Sequence, residues 1–510
     1  MNGRDEQGRG RDGRDVTESA EKREIQVVLA GERGRPGGVA ALDDDGRVPE
    51  SQLPARLTEV RHPTITLDEL TCPLYIPHRG GAKIAPENTI DALRAAVELG
   101  FKLVEVDCSL LRDGGLMVMH DATPNRTSNL HGTPDRLTTQ AVLRGRINAG
   151  EWFCPSWPSD LLIPALSDVL REVGNHICLL IEVKNAGSGR AAVDLVTRSE
   201  LGHSVIIESF RREELDAGIE AGLPVGLVHE TGEVDPARLR AEGVDYLAVL
   251  NGAPEANITA AVEAGLCVFV YDVDRRYQHD RLAALGVGGF ITDDPMYLSG
   301  RLSAFGTDPY VGQTFWHGCL PSEAGERGRF TPPDWWGYPS DRPGYRGALQ
   351  GWGCPVPMPG PDDPPGRVTT IGFDVVVDSV GDDDTTHWAS IFFGSRDDRP
   401  FSDRGDPGAP GGYHALLRAD GELALYRVDA GEADLLGSVR TPPLELGRTV
   451  SRLEVRVGPA EVAVTRVDAG PDAGIGAADT TYRGGYFQFG RDGAAARFRN
   501  AAITRAEGDR

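Results

Sequence analysis

The chain has 510 residues, a net charge of −24 and charged side chains at 25% of its positions. That length accommodates two or more domains with separate cores, and the acidic balance argues against nucleic acid and anionic membrane surfaces as general partners. No apolar run is long enough for a membrane span, and the charged start MNGRDEQGRGRDGRD lacks the apolar stretch of a secretory leader.

Residues 1–25 are polar and rich in Gly, Arg and Asp, a composition that predicts disorder. Residues 26–71 are too Gly- and Pro-rich to build a core and are expected to act as a linker. Within them, GGVAALDDDGRVPESQLP resembles a short motif near the N-termini of phage tail-fibre and minor tail proteins. From 72 to 303, eight apolar runs of strand length appear: LYIP (74–77), KLVEVD (102–107), ICLLIEV (177–183), SVIIES (204–209), PVGLVH (224–229), DYLAVL (245–250), CVFVYDV (267–273) and GFITD (289–293). Amphipathic stretches such as TIDALRAAVELG and REELDAGIEAG lie between most of them, several ending in the Gly that stops a helix. Eight such units predict an α/β fold, a (β/α)8 TIM barrel. The segment 108–165 breaks the rhythm and reads as an insertion over one mouth of the barrel.

Residues 304–366 are dense in Gly, Pro, Trp and Tyr, and are expected to connect the barrel to a second domain and begin it. From 367 to 510, short alternating runs separated by Asp/Gly turns predict an all-β sandwich, with the DG of RADGELALYRV marking a hairpin. LLRADGELALYRV and RGGYFQFG…FRN resemble concanavalin-like and laminin-G-like jelly rolls. That resemblance implies a lectin-like domain, and Trp335, Trp336 and Trp352 are candidates for stacking on cell-surface carbohydrate or for packing against the barrel.

The chemistry concentrates where strands end, which in such a barrel is the functional face. His78 and Arg79 follow the first strand, Glu105 and Asp107 end the second, His120 and Asp121 end a run in the insertion, and Glu182 and Lys184 end the third strand. Glu105 and Asp107 are two apart on a strand and therefore share a face. Together with Glu182 they form an oxygen-only set suited to a divalent metal, Mg or Ca rather than Zn. Acids embedded in apolar runs would be costly without a cation between them. His78 and His120 suit proton transfer near neutral pH. Arg79 offers a fork and Lys184, one of four lysines, a point charge for phosphate oxygens; the alternative is pairing with Glu105 or Glu182. Glu87 is expected to orient Arg79 or approach the metal. Asn88 is expected to cap the first helix, Asp113 to sit in a hairpin turn, and Asp293 and Asp294 to be turn and cap residues. Among the other histidines, only His229 ends a strand. Cys72, Cys108, Cys154, Cys178 and Cys267 read as buried inert thiols, and Cys319 with Cys354 as a candidate pair.

Taken in order, HRG, APENT, the EVD strand, RDG, HD followed by RT, IPALSDVL, IEVK, ESF and ITDDP closely resemble the glycerophosphodiester phosphodiesterase family over residues 74–300. The resemblance implies metal binding by Glu105, Asp107 and Glu182, acid–base catalysis by His78 and His120, and phosphate contacts from Arg79 and Lys184. It places Glu87, Phe210 and Tyr271 around the substrate pocket. Where many members read roughly W-T-V-N, this chain has Tyr271-Asp272-Val273-Asp274, which leaves the alcohol preference open. The implied activity is hydrolysis of glycerophosphodiesters. With the tail-fibre-like and lectin-like flanks, the expected setting is a phage tail acting on glycerol-phosphate polymers (teichoic acid) of the host envelope, beside other tail proteins. The alternatives are a cytoplasmic or secreted enzyme of small lipid-derived diesters and a non-catalytic receptor-binding module.

Overall fold

The computed structural model describes residues 65–153, 161–230, 232–301, 358–399 and 408–507, together with residues 356 and 401 and three short strands between 329 and 350. The segment 1–25 and most of 26–71 lie outside the described residues, as do Cys154, Cys319, Cys354 and Trp352; for Trp335 and Trp336 only the backbone strand is described.

The eight apolar runs form strands β1 (Leu74–Pro77), β2 (Leu103–Leu110), β4 (Cys178–Val183), β5 (Val205–Ser209), β6 (Val225–His229), β7 (Tyr246–Leu250), β8 (Cys267–Tyr271) and β9 (Gly289–Thr292), with a short β3 (Leu116–Val118) inserted after β2. They pair in the order β1-β9-β8-β7-β6-β5-β4-β2-β3, parallel throughout except β2–β3. β1 also lies against β2, so the parallel strands close on themselves as a barrel. The returning helices are α1 (Ile90–Glu98), α2 (Leu166–Val173), α3 (Ser188–Arg198), α4 (Asp216–Ala221), α5 (Pro236–Ala241), α6 (Glu255–Glu263), α7 (Arg276–Ala283) and α8 (Pro295–Leu298).

Strand alternation sorts the side chains into two layers. Val104, Val106, Leu179, Ile181, Val205 and Ile207 point outward and pack under helix residues such as Leu93, Ala192 and Val196. The inward set splits by height. Towards the N-terminal ends, Leu74, Ile76, Leu103, Cys178, Leu180, Ile206, Ala248, Phe269 and Ile291 plug the barrel, closed beneath by Ile65. Further along the same strands, the inward residues become Glu105, Asp107, Glu182 and Glu208, all buried. Burial of each large aliphatic side chain in these layers contributes about 1.5–3 kcal/mol, enough to hold the acids above them in place.

β2 extends past the barrel rim to Leu110, so Glu105 and Asp107 lie inside the strand rather than at its end. The extension pairs with β3, and the insertion that follows has its own core of Leu111, Met117, Met119, Val142, Ile147 and Ile163. Asp113 accepts hydrogen bonds from the Thr139 backbone N–H and hydroxyl, fixing the hairpin turn as expected. Cys108 and Cys178 are buried, but Cys72 is exposed and Cys267 only half-buried, so the expectation of buried thiols fails for these two at the base of the barrel.

The C-terminal domain is two antiparallel sheets. In chain order its strands are β10 (Arg329–Thr331), β11 (Trp335–Tyr338), β12 (Arg346–Gln350), β13 (Arg367–Val380), β14 (Trp388–Ser395), β15 (Gly412–Arg418), β16 (Glu422–Asp429), β17 (Glu432–Arg440), β18 (Ser451–Val457), β19 (Val462–Arg466), β20 (Gly474–Ala477), β21 (Tyr486–Asp492) and β22 (Ala494–Glu507). One sheet runs β10-β11-β22-β13-β18-β19-β20, the other β12-β21-β14-β15-β16-β17. Ile371, Phe373, Val375, Phe393, Leu417, Val455, Phe489 and Phe498 fill the space between them. β10 to β12 come from the stretch read as a connection and the beginning of the second domain, and they join its two sheets upstream of residue 367.

The two domains share buried polar contacts. Asp398 of the sandwich is inaccessible to solvent; its carboxylate accepts from the backbone N–H groups of Arg276 (2.5 Å) and Tyr277 (2.9 Å) at the start of α7, and from the Tyr297 hydroxyl (2.6 Å) on α8. Tyr297 is fully buried and packs with the sandwich core.

Candidate active site

The turn after β1 brings His78 and Arg79 over the barrel mouth. Arg79 and Asn88 both adopt left-handed backbone conformations (φ 53° and 56°), which cost non-glycine residues about 1–2 kcal/mol each. Gly80 (φ +91°) lies so close to α1 that a Cβ would sit 2.6 Å from that of Ala92, so the turn tolerates no side chain there. This tight turn delivers the Arg79 backbone N–H to Glu105 Oε2 at 2.6 Å. Asn88 does not cap α1 as expected. Thr89 does so, accepting from the Ala92 N–H, while the Asn88 side chain donates to Asp107 Oδ2 (2.7 Å) and accepts from the Asp107 N–H (3.2 Å).

Glu105, Asp107 and Glu182 each place one oxygen so that all three lie within 4.8 Å of one another. Glu105 Oε1 is buried with no hydrogen-bond partner. Asp107 Oδ1 and Glu182 Oε1 meet only the Lys184 ammonium, at 2.7 and 2.6 Å, in ion pairs without hydrogen-bond alignment. Burial, then the charge of Asp107, pushes the Glu105 carboxyl up to about 8. The same two causes push Glu182 up to about 7. Burial would raise Asp107 too, but Lys184 and Arg79 hold it below the usual carboxylate range. A crowded cluster of three carboxylates with an orphaned buried oxygen is what a hard divalent cation would complete.

Each imidazole has its own carboxylate. His78 Nδ1 is 2.8 Å from Asp293 and 3.4 Å from Asp272. Burial disfavours its charge, but these acids outweigh burial and raise the ring to about 10. Arg79 Nε lies 3.2 Å from His78 Nε2, a contact that suits the neutral ring. The two carboxylates outweigh this contact and favour the charged ring. His120 Nδ1 is 2.9 Å from Asp121 Oδ1; burial is the largest influence and lowers this ring. Arg79 Nη1 also donates to Glu87 Oε1 (3.0 Å), and its Nε is 3.7 Å from Asp107.

The residues picked out from sequence therefore converge: His78, Arg79, Glu105, Asp107, His120, Glu182 and Lys184 surround one mouth. The alternative of acid pairing is realised for Lys184, which bridges Asp107 and Glu182. Phe210 is exposed at the rim, edge-on to Tyr271 with ring centroids 6.3 Å apart and 5.9 Å from Lys184 Nζ. His229 stands apart, with Nε2 facing the Gly232 carbonyl at 3.3 Å. Asp294 is a helix cap as expected, accepting from the Tyr297 N–H. Asp293 is not merely a turn residue, because it holds His78. Asp274, half-buried and raised to about 7 by desolvation and by Asp293, accepts from the Thr292 hydroxyl and Asp293 N–H. Sequence reasoning placed Asp121 beside His120 without giving it a role, had RT in view without singling out Arg126, and passed over Glu208, whose Oε2 is buried without a partner.

Carboxylates gathered for a cation beside guanidinium and ammonium groups for an anion, at the C-terminal mouth of a parallel barrel, define a metal-assisted phosphoester hydrolase. Similarity to known proteins agrees. The Glycerophosphoryl diester phosphodiesterase family model matches residues 78–296. A glycerophosphodiester phosphodiesterase of Caldanaerobacter subterraneus subsp. tengcongensis is 33% identical over 236 residues, 44% of this chain and 96% of that protein. A Bacillus subtilis glycerophosphodiester phosphodiesterase is 29% identical over 251 residues, 44% of this chain and 84% of the relative. Among solved structures, an Oleispira antarctica phosphodiesterase matches with a TM-score of 0.41 and 20% identity, over 45% of this chain and 96% of its own. The chain belongs to the glycerophosphodiester phosphodiesterase family, and its barrel is an enzyme of that class.

Proposed function

We propose that this barrel hydrolyses the phosphodiester bonds of glycerol-phosphate polymers in a cell envelope, using Mg²⁺ or Ca²⁺ held by Glu105, Asp107 and Glu182. The observation that carries the catalytic part is the cluster of three buried acids with an unsatisfied oxygen, flanked by two carboxylate-held imidazoles. The oxygen-only donor set supports Mg²⁺ or Ca²⁺ over softer ions. When bound, such a cation neutralises phosphate charge and makes a hydroxyl easier to deprotonate. Lys184, beside Asp107 and Glu182, and Arg79, beside Glu87, are the cationic groups that would meet the phosphate oxygens. His120, the ring that burial keeps neutral, takes the proton of the attacking hydroxyl. His78, the ring its acids keep charged, gives a proton to the departing alkoxide. Asp121 and Asp293 fix the two rings through Nδ1, the orienting role that a carboxylate plays beside a working histidine; Nε2 is the atom each ring offers to the reaction, and on His78 it faces Arg79 Nε.

Three features support the envelope setting and, with it, a phage tail. The segment GGVAALDDDGRVPESQLP is tail-fibre-like, a β-sandwich of lectin-like pattern follows the barrel, and the two domains are joined by buried contacts that hold the sandwich beside the catalytic barrel. In this reading the sandwich engages cell-surface carbohydrate while the barrel cuts. Purified protein with Mg²⁺ or Ca²⁺ is expected to release glycerol phosphate from poly(glycerol phosphate) faster than it cleaves glycerophosphocholine. Turnover of the small diester alone would return the protein to metabolism of lipid-derived diesters. Binding of the polymer without turnover of either would make it a receptor-binding module.

A further inference from the structure

Arg126 belongs to the insertion, not to the barrel, and none of the functional assignments above includes it. Its guanidinium makes four hydrogen bonds to two carboxylates. Nε donates to Asp121 Oδ2 (2.7 Å) and Nη1 to Glu87 Oε2 (2.9 Å); Nη2 donates both to Glu87 Oε1 (2.7 Å) and to Asp121 Oδ1 (3.0 Å). The two oxygens on Nη2 are the same two that hold working residues: Glu87 Oε1 accepts from Arg79 Nη1, and Asp121 Oδ1 meets His120 Nδ1. A single nitrogen thus stands between the fork aimed at phosphate and a proton-transfer ring. Glu87 is 9% exposed, so its side of the link is shielded, whereas Asp121 (29%) and Arg126 (42%) meet at the solvent-facing edge of the mouth. Around Arg126 the backbone is pinned as well. The Ser128 N–H and hydroxyl bond the Pro124 carbonyl, and the Thr127 carbonyl accepts from the Asn148 N–H, which ties this turn to the rest of the insertion.

We infer that Arg126 is a positioning residue that sets Arg79 and His120 relative to each other by locking Glu87 and Asp121 onto one guanidinium. The insertion then has a function beyond covering the mouth: it supplies His120 and the link that registers this ring against the first barrel loop. Lysine cannot take over the role, because an ammonium lacks the planar fork that spans four oxygens. The inference rests on the catalytic reading of His120 and Arg79.

The test is a pair of cycles on glycerophosphocholine with saturating Mg²⁺, each rate taken relative to the unmodified enzyme. Arg126→Met and Arg126→Lys are both expected to lower kcat about 10–100-fold, the range in which groups that orient working ligands act, and to raise KM through Arg79. Glu87→Gln and Asp121→Asn are expected to be non-additive, with a coupling of at least about fivefold, and to become additive in the Arg126→Met background. An arginine that merely stabilises the insertion would lower the melting temperature without producing that change in coupling. Independent of turnover, ¹H–¹⁵N spectra of the histidine rings should show Glu87→Gln shifting His120, and that shift should vanish in Arg126→Met. Full activity of Arg126→Lys, strict additivity of the Glu87 and Asp121 substitutions, or an unmoved His120 ring would each overturn the inference. An unmodified enzyme with no turnover would count against the catalytic reading instead, and the ring spectra would still decide the role of Arg126.

Discussion

The lower and upper halves of the barrel interior are built from the same strands and the same inward face, yet they obey opposite rules. On β2, β4 and β5 the inward residue changes from Leu103 to Asp107, from Leu180 to Glu182 and from Ile206 to Glu208 along each strand. Below, apolar side chains pack and stabilise the fold. Above, acids crowd one another at a cost that the lower layer offsets. The contrast shows that a parallel barrel can afford a poised charge cluster because the cluster sits on a finished core rather than inside one.

The strongest way to break the upper half is Asp107→Asn. Asp107 offers a cation ligand and meets both Lys184 and Asn88, so turnover is expected to fall at least about a thousandfold, with Mg²⁺ binding lost in calorimetry while circular dichroism stays unchanged. Ile206→Ala attacks the lower half. It should cost about 2–5 kcal/mol of stability, read as a lower denaturation midpoint, while kcat at low temperature stays within about threefold. Asp293→Asn removes the charge from the partner of His78 while preserving its shape, and kcat is expected to drop about 10–100-fold with little change in KM.

A pH titration sharpens the comparison without mutation. Glu105 and Glu182 are raised to about 8 and about 7, above the ordinary carboxyl value. A group raised in the folded state contributes stability below its unfolded value and loses it as pH climbs through the folded value. The metal-free protein should therefore become progressively easier to melt between about pH 4.5 and 8. Added Mg²⁺ or Ca²⁺ should restore the midpoint, with affinity rising over the same interval as protons are displaced. A flat midpoint in the presence of chelator would contradict the crowding of these acids. The smallest effect is expected at His229→Ala: the ring lies outside the cluster, and activity should stay within about twofold.

Much of this was legible in the sequence because the barrel strands are apolar on both faces and therefore appear as unbroken runs, and because acids inside such runs are conspicuous. Apart from the C-terminal end of β2, the strands from LYIP to GFITD were found within a residue or two. What could not be read was partnership. His78 and Asp293 lie 215 positions apart and Asn88 and Asp107 lie 19 apart; neither a turn signal nor a cap signal reveals that the chain brings them together. The ITDDP turn offered two acids, and only the fold shows that the first faces His78 while the second caps α8. In the sandwich, β17 carries little signal to read, because its first four residues, from Glu432 to Leu435, are exposed and give no inward alternation. The extension of β2 past the rim was missed because hairpin pairing with β3, not burial in the barrel, sustains it.

The embrace of Asp398 by α7 and α8 has a consequence for how the molecule comes apart. A barrel severed after residue 300 would expose the phenol of Tyr297 to water and leave the Arg276 and Tyr277 amides at the head of α7 without their acceptor. Neither domain is finished at its own boundary, so heating should melt barrel and sandwich in one cooperative step instead of two. The joint also starts immediately after the turn that carries Asp272 and Asp274. A load applied to the sandwich would therefore be transmitted within a few residues to the side chains flanking His78.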